Sequence, residues 1–219
     1  MKRVFFLISV AALLFAGNAA LAQESKTPDA KKVFNGLNDK IKSLKSYKLI
    51  FEYTEYLTDK KKEEWRKCEF WFMGRDFMRL EVLDGTDKGS KVAYNAKRSK
   101  DKAHAKAGYM PFPIAVSKDD ERLSGFFESD WESDIKGIAG DAKDGSFSYA
   151  GEEDIKGRTA HKIEITPKKA EYSKILLWID KKDSILLQYE NFKDGKFNSR
   201  KTFYNIELNP DMNPKTFVP

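Results

Sequence analysis

The sequence has very few of the side chains that titrate near neutral pH. Its 219 residues include one cysteine, Cys68, and two histidines, His104 and His161. A single thiol excludes an internal disulfide, so the fold must be held by its core alone. Neither histidine has a second His or Cys at ligand spacing, which argues against a zinc or other transition-metal site. The patterns G-x-S-x-G, H-E-x-x-H, G-x-x-x-x-G-K-[ST] and G-x-G-x-x-G are missing, so no nucleotide cofactor or familiar hydrolase elbow is expected. Long apolar runs are missing too. Beyond the first residues nothing approaches the ~20 needed to cross a bilayer.

The residues that are present reinforce this. Cys68 lies in EWRKCEFWFM, where a small buried hydrophobe is expected rather than a reactive thiol. His104 sits among lysines, and His161 alternates with Ile163 and Ile165 as a packed strand residue would. Asp180-Lys181-Lys182-Asp183 lacks the glycine and later ligands of a calcium loop. Asp119, Asp120 and Glu121 follow Ser117 in what reads as a first helical turn, where acids serve capping and the helix dipole. No residue is assigned a catalytic role, and the chain is not expected to be an enzyme. A hydrolase with a dispersed site, built on His161 and the 119–121 acids, is the rival on that side.

The N-terminus reads as a secretory leader. Lys2 and Arg3 precede an apolar run from Val4 to Phe15, and Ala20-Leu21-Ala22 offers a small-x-small cleavage site. Cleavage after Ala22 removes two basic residues and no acid, leaving residues 23–219 as one domain of formal charge +4. The expected location is the periplasm. So mild and interleaved an excess does not call for nucleic acid.

Periodicity then sorts the mature chain. Thr27-Pro28-Asp29 reads as a helix start, with Val33, Phe34, Leu37, Ile41 and Leu44 at helical spacing. From Tyr47 the period changes to two. YKLIFEYTEYL, WRKCEFWFM, FMRLEVL and KVAYN form a meander with hairpin-length breaks. Residues 96–106 read as an exposed basic loop, followed by the proline-rich YMPFPI, unsuited to a central strand. Asp130 or Ser129 opens a helical segment with Trp131, Ile135, Ile138 and Ala142 in register, weakened by Gly137 and Gly140. Strands resume in FSYAGEEDIKGRTAHKIEIT, ILLWIDKKDSILLQYENFKDGKF and KTFYNIEL. The result is α+β, with one large antiparallel sheet.

That sheet carries more apolar surface than the helices readily cover. Phe51 and Tyr53, Phe70 and Phe72, Leu80 and Val82, Val92 and Tyr94, and Ile163 and Ile165 alternate on one face, each worth ~1.5–3 kcal/mol when buried. A fully packed core and a cavity under the helices both satisfy this pattern. In Ile175–Phe197 both strand faces are apolar, and alternation does not say whether Leu176 and Trp178 or Ile175, Leu177 and Ile179 point inward.

The stretch KILLWIDKKDSILLQYENFKDGKFNSRKTFYNIELNPDMNPKTF resembles the ending of the LolA/LolB-like superfamily, which includes periplasmic lipoprotein carriers, outer-membrane lipoprotein receptors and the lipid-sensing regulator RseB. FMRLEVLDG with KVAYN is similar to the family's R-x-R-W/L-E segment and next strand, and YKLIFEYTEY to its first strand. The proline usual in that segment is replaced by Met73-Gly74-Arg75-Asp76, which places the chain on a separate branch. The resemblance implies a large curved antiparallel sheet, a half-open and incomplete β-barrel, with an N-terminal helix and short helices on its concave face. It further implies a monomeric, non-catalytic carrier that holds the acyl chain of a lipid or acylated lipoprotein in an apolar cavity. The rival within the family is a lipid-sensing or protein-interaction module. The lining expected is Phe51, Tyr53, Phe70, Phe72, Leu80, Val82, Tyr94, Ile163 and Ile165. By the same resemblance Arg79 matches the inner-strand arginine that holds the lid, although alternation alone places it outward. Lys97–Lys106 offers an electrostatic approach to an anionic membrane surface, or is a solvated hairpin end.

Overall fold

The computed structural model describes residues 27–58, 60–168 and 171–218; the expected leader, 1–22, lies outside them. The first element is helix α1, Ala30–Ser43, with Phe34, Leu37 and Ile41 buried. It starts later than Thr27-Pro28 suggests. The Asp29 carboxylate accepts from the backbone N–H groups of Lys31 and Lys32, so Asp29 is the cap and Pro28 stands before it.

Eleven strands follow: β1 Tyr47–Leu57, β2 Lys62–Phe72, β3 Phe77–Gly85, β4 Lys91–Asn95, β5 Lys102–Lys106, β6 Ile114–Ser117, β7 Ser146–Ile155, β8 Arg158–Thr166, β9 Lys174–Asp180, β10 Leu186–Lys193 and β11 Lys196–Leu208. They form one antiparallel sheet in the order β6-β5-β4-β3-β2-β1-β11-β10-β9-β8-β7. The first six strands make one meander and the last five the other, and β1 joins them by pairing with β11. Because β6 and β7 are both edges, the sheet curves without closing. Part of the expected 96–106 loop is therefore strand. Lys102–Lys106 pairs with β4 and β6, and Ala103 is fully buried. Alanines at alternate positions are too small to register as an apolar face in the sequence.

Register decides which residues share a face. Tyr47, Leu49 and Phe51 lie opposite Phe72, Phe70 and Cys68, and Phe70 and Cys68 lie opposite Leu80 and Val82. On the other half, Ile163 and Ile165 oppose Leu177 and Ile175, and Leu177 opposes Tyr189. These residues make the concave face. Helix α1 lies over its β7–β9 side, with Phe34 5.5 Å from Phe147. Two further helices, α2 Ser124–Phe127 and α3 Trp131–Asp141, occupy the centre. The turn before α2 is capped by Asp120, whose carboxylate accepts from Arg122 N–H, rather than by Ser117. Asp130 caps α3 as expected.

Strand β9 thus directs Ile175, Leu177 and Ile179 inward, each at most 1% exposed. Trp178 faces outward and is still covered. The Lys162 ammonium lies 4.8 Å from its ring, and its indole N–H donates to Glu153 at 2.7 Å.

Candidate functional site

Between the sheet and α2 lies a cavity of about 540 Å³. Its floor is the concave face of the first meander: Phe51 and Tyr53 from β1, Cys68 from β2, Leu80 and Val82 from β3, and Val92 from β4. Phe126 and Gly125 of α2 form the roof, and Tyr189 of β10 closes the far wall. Polar groups gather on two sides. Arg66, Asp87, Ser90 and Arg122 stand at the rim, while Asp134 and Lys201 form a buried pair against the aromatic wall. An apolar floor with a few convergent polar groups is the usual form of a small-molecule pocket, and this volume is ordinary for one.

The buried pair also ties the helices to the sheet. Lys201 Nζ donates to Asp134 Oδ2 at 2.7 Å and to the carbonyl of Ser129, the residue preceding the α3 cap, at 3.2 Å. Tyr189 donates to Asp134 Oδ1 at 3.1 Å. The ammonium lies 4.8 Å from the Phe51 ring and 5.3 Å from Phe203, a position favoured by the ring quadrupoles. A second tie is made by Tyr47, whose hydroxyl accepts from Trp131 N–H at 3.0 Å. Burial raises the Asp134 carboxyl above its ordinary range, in spite of Lys201. Burial likewise pushes Tyr189 well up and the Cys68 thiol up to about 11, which leaves the thiol unreactive.

Of the nine lining residues expected, Phe51, Tyr53, Leu80 and Val82 meet at this cavity. The other five lie outside it. Phe70 is fully buried between Tyr47 and Phe51, and Phe72 stacks on Tyr47 at 4.9 Å. Tyr94 packs against Phe127 at 5.3 Å and donates to the Lys100 carbonyl. Ile163 and Ile165 are fully buried on the α1 side.

Arg79 points the other way. It lies on the convex face, donates to Glu81 and to the Thr216 carbonyl at 2.7 Å, and stacks 5.1 Å from Trp71. It therefore holds the C-terminal 3₁₀ turn, Pro214–Phe217, and touches no helix of the concave face. The cation between the inner wall and the helices is Lys201. Its signal in the sequence is its place two residues from Phe203, a lysine on an otherwise apolar face. Asp134 gave less, since acids in a first helical turn are common.

His161 lies outside the cavity, with Nδ1 3.1 Å from the Tyr149 hydroxyl and 3.8 Å from Glu152. Among the described residues no cluster of three or more His, Cys, Asp or Glu could hold a metal ion, and no helix is long and apolar enough to cross a membrane.

Comparison with known proteins agrees with the architecture. A family model described as an uncharacterized protein matches residues 110–210. No curated protein matches the sequence. Among solved structures, MucB of Pseudomonas aeruginosa in complex with MucA aligns at TM-score 0.54 with 16% identity, covering 88% of this chain and 61% of that one. LprF of Mycobacterium bovis aligns at TM-score 0.54 with 12% identity, covering 85% and 97%. A LolA superfamily protein of Nitrosomonas europaea aligns at 0.40 with 14% identity, covering 88% and 98%, and carries no weight at that score. The chain thus spans about three-fifths of the length of MucB. Likeness at these identities is likeness of fold. The chain shares the fold of MucB and LprF.

Proposed function

We propose that the chain is an exported envelope binding module, cut after Ala22 into a single domain of residues 23–219, which holds an acyl chain of a lipid or lipoprotein and catalyses no reaction. The observation that carries this is the cavity of about 540 Å³, with its floor of Phe51, Leu80, Val82 and Val92 beneath Phe126. Each methylene moved there from water contributes ~0.8 kcal/mol, so no catalytic group is required. Arg66 and Arg122 at the rim are paired with Asp87 and Asp120, and an anionic headgroup would take the place of those carboxylates. The α2–α3 segment acts as the lid, and the Lys201 contacts with Ser129 and Asp134 set how readily it lifts.

A second reading is a sensor or protein-interaction module. It is favoured by one observation: MucB, which shares the fold, is found in complex with MucA.

The test is to purify the mature chain from a Gram-negative periplasm and apply native mass spectrometry and solvent extraction. Wild type is expected to carry acyl lipid. Leu80→Trp, which fills the cavity, is expected to come out empty while keeping its melting temperature. A wild type that is empty and binds no hydrophobic probe would overturn the carrier reading.

A further inference from the structure

The large hydrophobic side chains exposed on the described surface all lie at one end of the half-barrel. They are Tyr56, Trp65, Leu83, Tyr109, Phe112 and Ile114. Tyr56 is next to the end of β1, Trp65 is in the first half of β2, Leu83 is near the end of β3, and Ile114 opens β6. Antiparallel pairing brings these positions together: Tyr56 opposes Glu63, Arg66 opposes Gly85, and Ala105 opposes Ile114. The turns at the opposite end, residues 73–76 and 96–101, expose none. A scattered Leu or Tyr on a surface needs no explanation, but segregation to one rim does.

That rim is also the mouth of the cavity. Arg66, Asp87 and Ser90 line the cavity there, and Ser90 Oγ accepts from Gly108 N–H at 3.2 Å. The loop of residues 107–113 is thereby fixed beside the opening. Tyr109 is 91% exposed and Phe112 75%. Pro111 and Pro113 flank Phe112 and border a crevice with Ala93, Lys91 and Lys106. Charge follows the same pattern. Residues 102–118 hold no acid, and of their three lysines Lys106 lies at this end while Lys102 and Lys118 lie at the other. Lys91 and Lys106 face each other across β4 and β5, directly below the loop, and Lys91 also reaches Glu81 at 2.8 Å.

We propose that this loop seats the protein on an anionic lipid bilayer, with Tyr109 and Phe112 at the boundary of headgroups and acyl chains and Lys91 and Lys106 at the phosphates. Aromatic rings with an amphipathic body settle at that depth, and lysines nearby are drawn to anionic lipid. Proline restricts the loop before it binds, so less conformational freedom is lost on insertion. Two rings standing apart on an acid-free loop suit a soft bilayer better than a flat protein face, whose apolar residues form one packed patch. The cavity mouth would then open against the membrane. This deepens the acyl-carrier reading and takes its purpose from it.

The experiment uses the mature protein and vesicles of phosphatidylcholine alone or mixed with phosphatidylglycerol. Wild type is expected to float with the mixed vesicles and more weakly with the neutral ones. Tyr109→Ser with Phe112→Ser is expected to bind about tenfold more weakly or worse. Depth is read separately with Tyr109→Trp, whose emission is expected to shift to the blue on vesicles. The double variant should still bind a fluorescent fatty acid like wild type, which separates this proposal from the carrier reading. Equal flotation of wild type and double variant overturns the proposal, as does unshifted emission from the bound Trp variant. A wild-type dimer that the double variant abolishes, without flotation, assigns the rim to a second copy and overturns it too. Fatty-acid binding without flotation leaves the carrier reading standing and removes this one.

Discussion

Lys201 of β11 and Asp134 of α3 meet at 2.7 Å in the cavity wall, with only 6% and 8% of their side chains exposed. A buried ion pair is a poor source of net stability, because removing two charges from water costs about what their attraction returns. Its effect is positional. Through Lys201 the sheet holds both Asp134 and the Ser129 carbonyl, so one side chain fixes where the helical segment begins.

Lys201→Met therefore leaves a buried carboxylate without its partner and is expected to cost about 3–5 kcal/mol at neutral pH. The sign of the pH dependence follows from Asp134. Its folded pKa already lies above the unfolded value of 3.8 because of burial, and loss of Lys201 raises it further. A carboxyl of this kind penalises the folded state in full once pH exceeds its folded pKa, and the penalty fades as pH falls toward the unfolded value. Urea unfolding should show the deficit of Lys201→Met shrinking on acidification, and Lys201→Met with Asp134→Leu recovering most of the loss. A deficit that is constant with pH would mean that Asp134 is not the group left exposed to the penalty.

Arg79→Met is expected to act on the C-terminus alone. The arginine contributes a bond to the Thr216 carbonyl and the ion pair with Glu81, together worth about 1–3 kcal/mol locally. Hydrogen exchange at residues 214–218 should quicken while fatty-acid binding stays at the wild-type level. Lost binding would restore the lid role that the family resemblance implied for this residue.

Gly85→Ala is expected to destabilise by at least about 2 kcal/mol, measured by the urea midpoint. Gly85 has φ +85°, and a Cβ there would lie 2.2 Å from the Trp65 carbonyl oxygen. The contact is with backbone, so no side chain can turn aside to relieve it. A shift under about 0.5 kcal/mol would show that the β2–β3 approach is looser than the structure has it.

The architecture was legible because period-two alternation and turn residues are local. Tyr47–Leu57 and Phe77–Gly85 follow from side chains that must alternate between core and solvent. Strand β5 escaped because Ala103 and Ala105 give almost no hydrophobic contrast. The start of α1 shifted by two residues because Asp29, rather than Thr27, reaches the free N–H groups. The site was half legible. Phe51, Tyr53, Leu80 and Val82 share a face by alternation, but so do Phe70 and Phe72. Only the placement of α2 and α3 leaves the first four on this cavity and the others outside it.

The sequence by itself determined that the fold has no disulfide, that its strands form one antiparallel sheet with helices on one face, and that one face of that sheet is largely apolar. Each of these depends on residue type and on spacing along the chain. Tertiary structure decided that Arg79 faces out and Lys201 faces in, which face of β9 meets α1, and that the exposed aromatics collect at the cavity mouth. Those outcomes depend on contacts between residues far apart in sequence, such as Lys201 with Asp134 at a separation of 67 residues, and no local period encodes them.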